Sequence, residues 1–252
     1  MRLLTQARDL SRRKARERDG RFVAEGVRAV EELLHSPVGI EGVVCGPQLV
    51  DTPRGARLRA DLDTAGITVS DVSEREFASA ASTESPQGVL AIGIVPVRTL
   101  PDLAGRTPLR LLVIDAIQDP GNLGTLLRTA HALGLDGSVA LPGTVDLWNA
   151  KVVRSAMGSL FKHHALQTDL EALSAFLERE QCPLWGADTA GVPIADVHAP
   201  PRLAIAVGNE GAGLTPAVRT LASRLVSLPM RGDAESLNVA VAAGIMLYEV
   251  QP

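Results

Sequence analysis

Apolar residues in this chain come in two patterns, and the patterns alternate. One is helical spacing, as at Val27, Val30, Leu33 and Leu34; the other is the short unbroken run, as in Val-Leu-Ala-Ile-Gly-Ile-Val at 89–95. Read this way, residues 1–20 are polar and helix-prone. Helices are predicted over 27–34, 54–65 and 75–81, and strands over 42–45, 67–69 and 88–95, with Phe22-Val23-Ala24-Glu25-Gly26 as punctuation. Residues 97–108 keep no period and contain Pro101, Gly105 and Pro108, so they read as a linker. Alternation then resumes. Strands are predicted at 109–115, 137–141, 184–187, 203–207 and 225–228, and helices at 123–133, 147–157, 170–180, 216–223 and 237–250. Unbroken apolar strands between helices imply a mostly parallel sheet covered on both faces. The expectation is a small α/β domain over 1–96 and a larger α/β domain over 109–252.

Composition adds bounds. The chain has 252 residues, 46% hydrophobic, but only 3% aromatic, so the core must be built from Leu, Val, Ile and Ala. Cys45 and Cys182 stand far apart with neither metal nor disulfide spacing, which suits two small buried side chains in a reducing, cytoplasmic compartment. The N-terminus lacks an apolar signal region, and no apolar run reaches membrane-spanning length. Net charge is −4, yet residues 1–28 carry nine Arg or Lys against four Asp or Glu. That local +5 predicts a basic patch for an anionic partner, a solvated helix being the plain alternative.

Three polar constellations interrupt the larger domain. After the strand at 109–115 comes a Pro-Gly turn, then Asn122, expected to cap a helix whose apolar stripe includes Leu123, Leu126, Leu127 and Ala130. Arg128 points away from that stripe, either as an ordinary solvated arginine or as a cation at the carboxyl end of a parallel sheet. The second is Arg154-Ser155-Ala156-Met157-Gly158-Ser159, whose small residues permit close packing or close ligand approach. His163-His164 follows, without further ligands at metal spacing. The third is Gly208-Asn209-Glu210-Gly211-Ala212-Gly213 after a buried strand. It is paired with Leu228-Pro229-Met230 and Ser236-Leu237-Asn238-Val239, where Ser236 is expected to cap the last helix. A dinucleotide-binding loop would sit on the first strand of a βαβ unit with an acid about 20 residues later; this one sits late, with Glu210 in its middle.

Taken in order, these motifs resemble those of the SpoU (TrmH) branch of the SPOUT RNA methyltransferases. Asn122-Leu123-Gly124 with Arg128, Arg154 to Gly158, Gly208 to Gly211, Leu228 to Met230 and Ser236 to Val239 carry the resemblance across 109–250. Phe22 to Gly26 and Ser85-Pro86-Gln87-Gly88 resemble the L30e-like substrate-binding domain often joined to it. The resemblance implies a trefoil-knotted α/β catalytic domain, a homodimer with its active site at the interface, and S-adenosylmethionine (AdoMet) as cofactor. It further implies methylation of a ribose 2′-hydroxyl in structured RNA, ribosomal RNA first and tRNA second, with neither metal nor membrane. By the same likeness Arg128, Asn122, Glu210, Ser236 and Asn238 are the catalytic set, and Gly208, Asn209, Gly211, Leu228, Met230 and Leu237 hold the cofactor. Two other classes remain in play, a non-catalytic RNA-binding protein of the same fold and a Rossmann oxidoreductase. The retained polar set argues against the first and the misplaced glycine loop against the second.

Overall fold

The structure is a computed structural model describing residues 2–230, 232 and 236–251. The chain forms two compact units, Met1–Val97 with Trp148–Lys162, and Arg98–Leu147 with His163–Pro252. The first unit runs α1 (Arg2–Asp9), α2 (Arg13–Asp19), β1 (Arg21–Glu25), α3 (Val27–Leu34), β2 (Ile40–Cys45), α4 (Pro53–Thr64), β3 (Val69–Asp71), α5 (Glu74–Ala78) and β4 (Val89–Ile94). Its sheet has the order β1-β4-β2-β3, antiparallel except for the β2–β3 pair. The segment read as punctuation is therefore a strand. β1 pairs with β4, distant in sequence, and Phe22 sits opposite Gly93. A Cβ at Gly93 would lie 2.3 Å from the Phe22 ring, so only glycine admits the ring there. On its other side Phe22 packs against Trp148 and Phe161, at ring-centroid distances of 4.4 and 5.7 Å.

Several basic side chains at 1–28 are paired, but with acids that the local +5 already counts, so the excess persists. Arg12 and Arg18 pair with Asp9, Arg13 with Glu17, and Arg18 also with Asp19. Arg16 is buried and donates to the carbonyls of Leu10 and Ser11. These contacts hold the α1–α2 corner, while Arg2, Arg8, Lys14 and Arg28 remain exposed.

The second unit opens with a short 3-10 turn, Leu100–Leu103, inside the expected linker. Leu100 and Leu103 are buried in this unit's own core. Then follow β5 (Leu109–Ile114), α6 (Pro120–Ala132) and β6 (Gly137–Ala140). The helices α7 (Ala150–Ser155) and α8 (Ser159–Lys162) belong to the first unit. The chain returns with β7 (Ala165–Gln167), α9 (Leu170–Arg179), β8 (Leu184–Pro193), β9 (Arg202–Val207), α10 (Pro216–Leu221), β10 (Arg224–Ser227) and α11 (Val239–Glu249). All six strands are parallel, in the order β10-β8-β9-β5-β6-β7. Every residue of β5 is buried, as an unbroken apolar run requires. The order of the strands reverses between β5 and β9, so the loops leaving their carboxyl ends converge on one crevice.

Two details shape that crevice. β8 is longer than its apolar run predicts, and its partners on β10 jump from Gly186 to Val192, which bows the intervening residues out of the ladder. α11 packs on α6, where a Cβ at Gly244 would meet Thr129 at 3.5 Å. Its last turn is tied down by buried Arg110, whose Nε donates to the Val250 carbonyl at 2.7 Å. Although α11 is apolar all round, Val241, Ile245 and Tyr248 are 51%, 42% and 67% exposed and share one face.

His163 is 3% exposed and shares a 2.8 Å hydrogen bond with Ser138 Oγ. Burial pushes its pKa down to about 3, and nearby His131, Arg98 and His164 push the same way. Unfolded, it would bind a proton below pH ~6.5, whereas the folded protein refuses it until about pH 3. Stability should therefore be lost as pH falls through this window, with a slope approaching about 1.4 kcal/mol per pH unit. Urea unfolding at stepped pH checks this, and His163→Gln should flatten the slope. Burial likewise pushes the Cys45 thiol up to about 11 and the Cys182 thiol up to about 12, so both stay protonated and unreactive at neutral pH.

Candidate active site

Two helix caps and one glycine loop assemble the crevice. α6 is capped by Asp119, not Asn122: Asp119 Oδ1 accepts the Asn122 backbone N–H at 2.7 Å, and Pro120 presets the first turn. α11 is capped by Asn238, not Ser236, with Oδ1 accepting from the N–H groups of Ala240 (2.9 Å) and Val241 (3.3 Å). Asn238 has extended backbone angles, φ −52° and ψ 136°, as a cap requires.

These caps orient a chain of amides. With its oxygen committed to α11, Asn238 has Nδ2 left to donate, and it reaches Asn122 Oδ1 at 2.9 Å. Asn122 Nδ2 must then donate onward, and it meets Glu210 Oε1 at 3.0 Å. The backbone N–H of Asp119 also points at that oxygen, at 3.4 Å. Partial burial pulls the Glu210 pKa up, but the hydrogen bonds from Asn122 and from backbone N–H groups outweigh it and hold the carboxyl below its ordinary value. Glu210 is an anion at neutral pH, anchored through two amides to a helix N-terminus.

Glu210 is carried by a tight loop. Asn209 and Gly213 exchange backbone hydrogen bonds at 2.9 Å, while Asn209 Oδ1 accepts from Gly211 and Ala212. Asn209 Nδ2 ties the loop to the Ala116 carbonyl after β5 at 3.0 Å. Behind it lies a cavity of about 470 Å³. Gly208, Asn209, Gly211, Leu228, Met230 and Leu237 all line it, and so do Glu210 and Ser236. Leu237 and Met230 are 39% and 37% exposed and give the cavity part of its apolar wall.

The structure thus brings Asn122, Glu210 and Asn238 together. Ser236 lines the cavity but joins that chain by no hydrogen bond among the described residues. Arg128 stays apart. It is exposed on α6, six residues and roughly 9 Å of helix rise beyond Asn122, and makes no hydrogen bond or ion pair among the described residues. Arg231 and Asp233 to Glu235, the middle of the loop singled out in the sequence, lie outside the described residues. No group of three or more His, Cys, Asp or Glu that could hold a metal ion occurs among the described residues, and no helix of them is long and apolar enough to cross a membrane.

Residues 110–248 match the model of the SpoU rRNA Methylase family. The chain belongs to the SpoU rRNA methylase family. Residues 3–91 match the MRM3-like substrate binding domain. Among curated relatives, the 23S rRNA (guanosine(2553)-2′-O)-methyltransferase RlmP of Bacillus subtilis is 37% identical over 96% of this chain and 93% of its own length. The 23S rRNA (uridine(2479)-2′-O)-methyltransferase of Streptomyces viridochromogenes is 30% identical over 95% of this chain and 85% of its own. Among solved structures, the SpoU methyltransferase AviRb from Streptomyces viridochromogenes aligns with a TM-score of 0.86 at 28% identity, over 99% of this chain and 96% of its own. The AdoMet-bound rRNA methyltransferase from Sinorhizobium meliloti gives 0.85 at 28% identity, over 98% of this chain and 93% of its own.

Against this SpoU background, sequence reasoning missed the cavity wall formed by Ala187, Asp188 and Thr189. They lie within β8, where its pairing with β10 jumps from Gly186 to Val192, and the polar Asp188-Thr189 pair ending the apolar run at 184–187 was the available signal. Asp188 accepts from the Ala190 N–H at 2.9 Å and pairs with Arg219, so it enters the wall already partnered.

Proposed function

We propose that this protein transfers the methyl group of AdoMet to a ribose 2′-hydroxyl of 23S ribosomal RNA. The observation that carries the reading is the Asn238–Asn122–Glu210 chain at the mouth of a glycine-lined cavity, in a family whose relatives bear names of that reaction. Gly208, Asn209, Gly211, Leu228, Met230 and Leu237 hold AdoMet against a cavity that is polar at the loop and apolar at Leu228, Met230 and Met246. AdoMet, when bound, supplies a methyl group already activated on a sulfonium. What remains for the protein is to place the 2′-oxygen in line and to accommodate its lost proton. Glu210, fixed by Asn122, accepts hydrogen bonds from the incoming ribose, and Ser236 at the cavity edge does the same. Arg128, already protonated, either stabilises the developing oxyanion while the hydroxyl proton leaves to water, or gives one of its own N–H protons to an RNA phosphate as the hydroxyl proton replaces it, since a guanidinium is too weak a base to take that proton and keep it.

The working form is a homodimer in the cytoplasm, with a trefoil knot tying the catalytic sequence 109–252 and residues 1–96 serving RNA binding. A second copy covers the apolar stripe Val241, Ile245 and Tyr248 of α11 and supplies the environment that Arg128 lacks within one chain.

Thermal melting tests cofactor choice: AdoMet should raise the Tm, and NAD and ATP should not. Incubation with labelled AdoMet should then label 23S rRNA but not tRNA, and primer extension should stop at one nucleotide. A shift with NAD alone, or label in neither RNA, would refute the reading.

A further inference from the structure

Arg154 belongs by sequence to the second motif, but the crevice around Glu210 does not use it. It lies near the end of α7 in the first unit, half-buried, and its Nη1 donates to Ser82 Oγ at 3.3 Å. No carboxylate pairs with it among the described residues. Its partner loop, 82–87, is built on a buried acid. Glu25, 6% exposed at the end of β1, accepts from the Ser82 N–H at 2.7 Å and from the hydroxyls of Ser82 and Thr83. Ser82 spends its proton on Glu25, so toward Arg154 it can only accept. The arginine is oriented without being neutralised. At the far end of the loop Gln87 Oε1 accepts from the Val27 N–H at 2.9 Å, leaving its Nε2 donors free.

Burying a carboxylate is unfavourable unless hydrogen bonds compensate, and here three do. The fixed loop adds nothing to the core, since Ser82, Glu84, Ser85 and Gln87 are exposed. Rigidity of this kind, with polar groups facing outward, suits recognition.

We propose that Arg154 and the 82–87 loop form an RNA-docking platform, in which the guanidinium clamps a backbone phosphate and the loop reads an unpaired base beside it. The fork of an arginine matches phosphate oxygens. Glu84, exposed on the same loop, offers an acceptor to a base amino group, as Gln87 offers donors to a base carbonyl. The proposal rests on the rRNA methyltransferase reading, and its test separates the two.

Transcribed 23S rRNA is titrated with the full chain by filter binding over a range of KCl concentrations, and methyl transfer is followed in parallel. Arg154→Gln should raise both Kd and KM about tenfold with kcat nearly unchanged. The slope of log K against log salt should fall by about 0.7 to 1, the signature of one lost phosphate contact. Its AdoMet melting shift should equal wild type. Arg154→Lys should keep the slope but not the full affinity, and it serves if the glutamine variant folds poorly. Ser82→Ala should weaken binding in the same direction. A folded Arg154→Gln protein with wild-type Kd, KM and slope, or with a loss confined to kcat, would overturn the platform and leave the methyltransferase standing. A wild-type protein that binds rRNA but transfers no methyl group overturns the function, while the binding series still decides the platform. Failure of the wild type to bind rRNA overturns both.

Discussion

Replacing Arg128 by Ala is expected to lower methyl transfer about 10²–10³-fold, the usual loss when one charge-stabilising donor is removed from a reacting oxygen. The fold should not register the change. Arg128 is exposed on the face of α6 opposite the buried Leu123, Leu126 and Leu127, and it makes no partner among the described residues, so its removal leaves neither a cavity nor an orphaned charge. The AdoMet-induced melting shift should persist as well, because Arg128 does not line the cavity. Arg128→Lys asks how much of the effect is charge alone. A lysine keeps the charge but loses the planar fork, so partial recovery marks simple electrostatics and no recovery marks bidentate contact. Measurement is single-turnover label transfer to 23S rRNA. Wild-type rates in Arg128→Ala would remove the residue from the chemistry, and a vanished AdoMet shift would move it into cofactor binding.

That Arg128 is left alone while Asn122, Glu210 and Asn238 find one another marks how far the sequence could be read. The resemblance in motif order picked out all of them, whereas spacing alone left Arg128 open as an ordinary solvated arginine. Their mutual arrangement was not legible. Ser236 and Asn122 were expected to be caps, yet Asn238 and Asp119 do that work. A cap differs from a neighbour two or three positions away only in φ and ψ, and Ser, Asn and Asp all satisfy the composition rule. The correction matters for chemistry, since the true caps set the direction of the amides between Asn238 and Glu210.

Non-local pairing hid the rest. Nothing near Phe22 announces β1, a five-residue strand whose partner β4 is distant in sequence and whose neighbours include Trp148 and Phe161. The same distance concealed that Trp148–Lys162 packs with the first unit, although its motif belongs to the catalytic family. In sequence Glu25 is only part of the punctuating segment at 22–26. Only the return of the chain at 82–83 makes it a buried anchor.

Gly208→Ala should raise the Kd for AdoMet on the order of 10- to 100-fold while leaving global stability within reach of wild type. A Cβ at Gly208 would lie 2.2 Å from the carbonyl carbon of Gly213 and 2.3 Å from both its oxygen and the nitrogen of Leu214. These are backbone atoms, which cannot swing aside as a side chain would. The loop closed by the Asn209–Gly213 hydrogen bonds must open instead. Overpacking of this sort costs about 1–3 kcal/mol. If AdoMet binds only the closed loop, that cost appears in the binding constant, at tenfold for each 1.4 kcal/mol. The strain is confined to a surface loop behind β9, so the sheet itself should hold. Gly211→Ala is the internal control. Its Cβ would meet only Asn209 Oδ1, at 3.8 Å, so the loop stays closed and any loss of affinity reports ligand lying against that Cα. Calorimetric titration of both variants with AdoMet decides the matter. Equal affinity in Gly208→Ala and wild type would mean that the cofactor does not depend on the closed loop, and the cavity would have to be assigned another occupant.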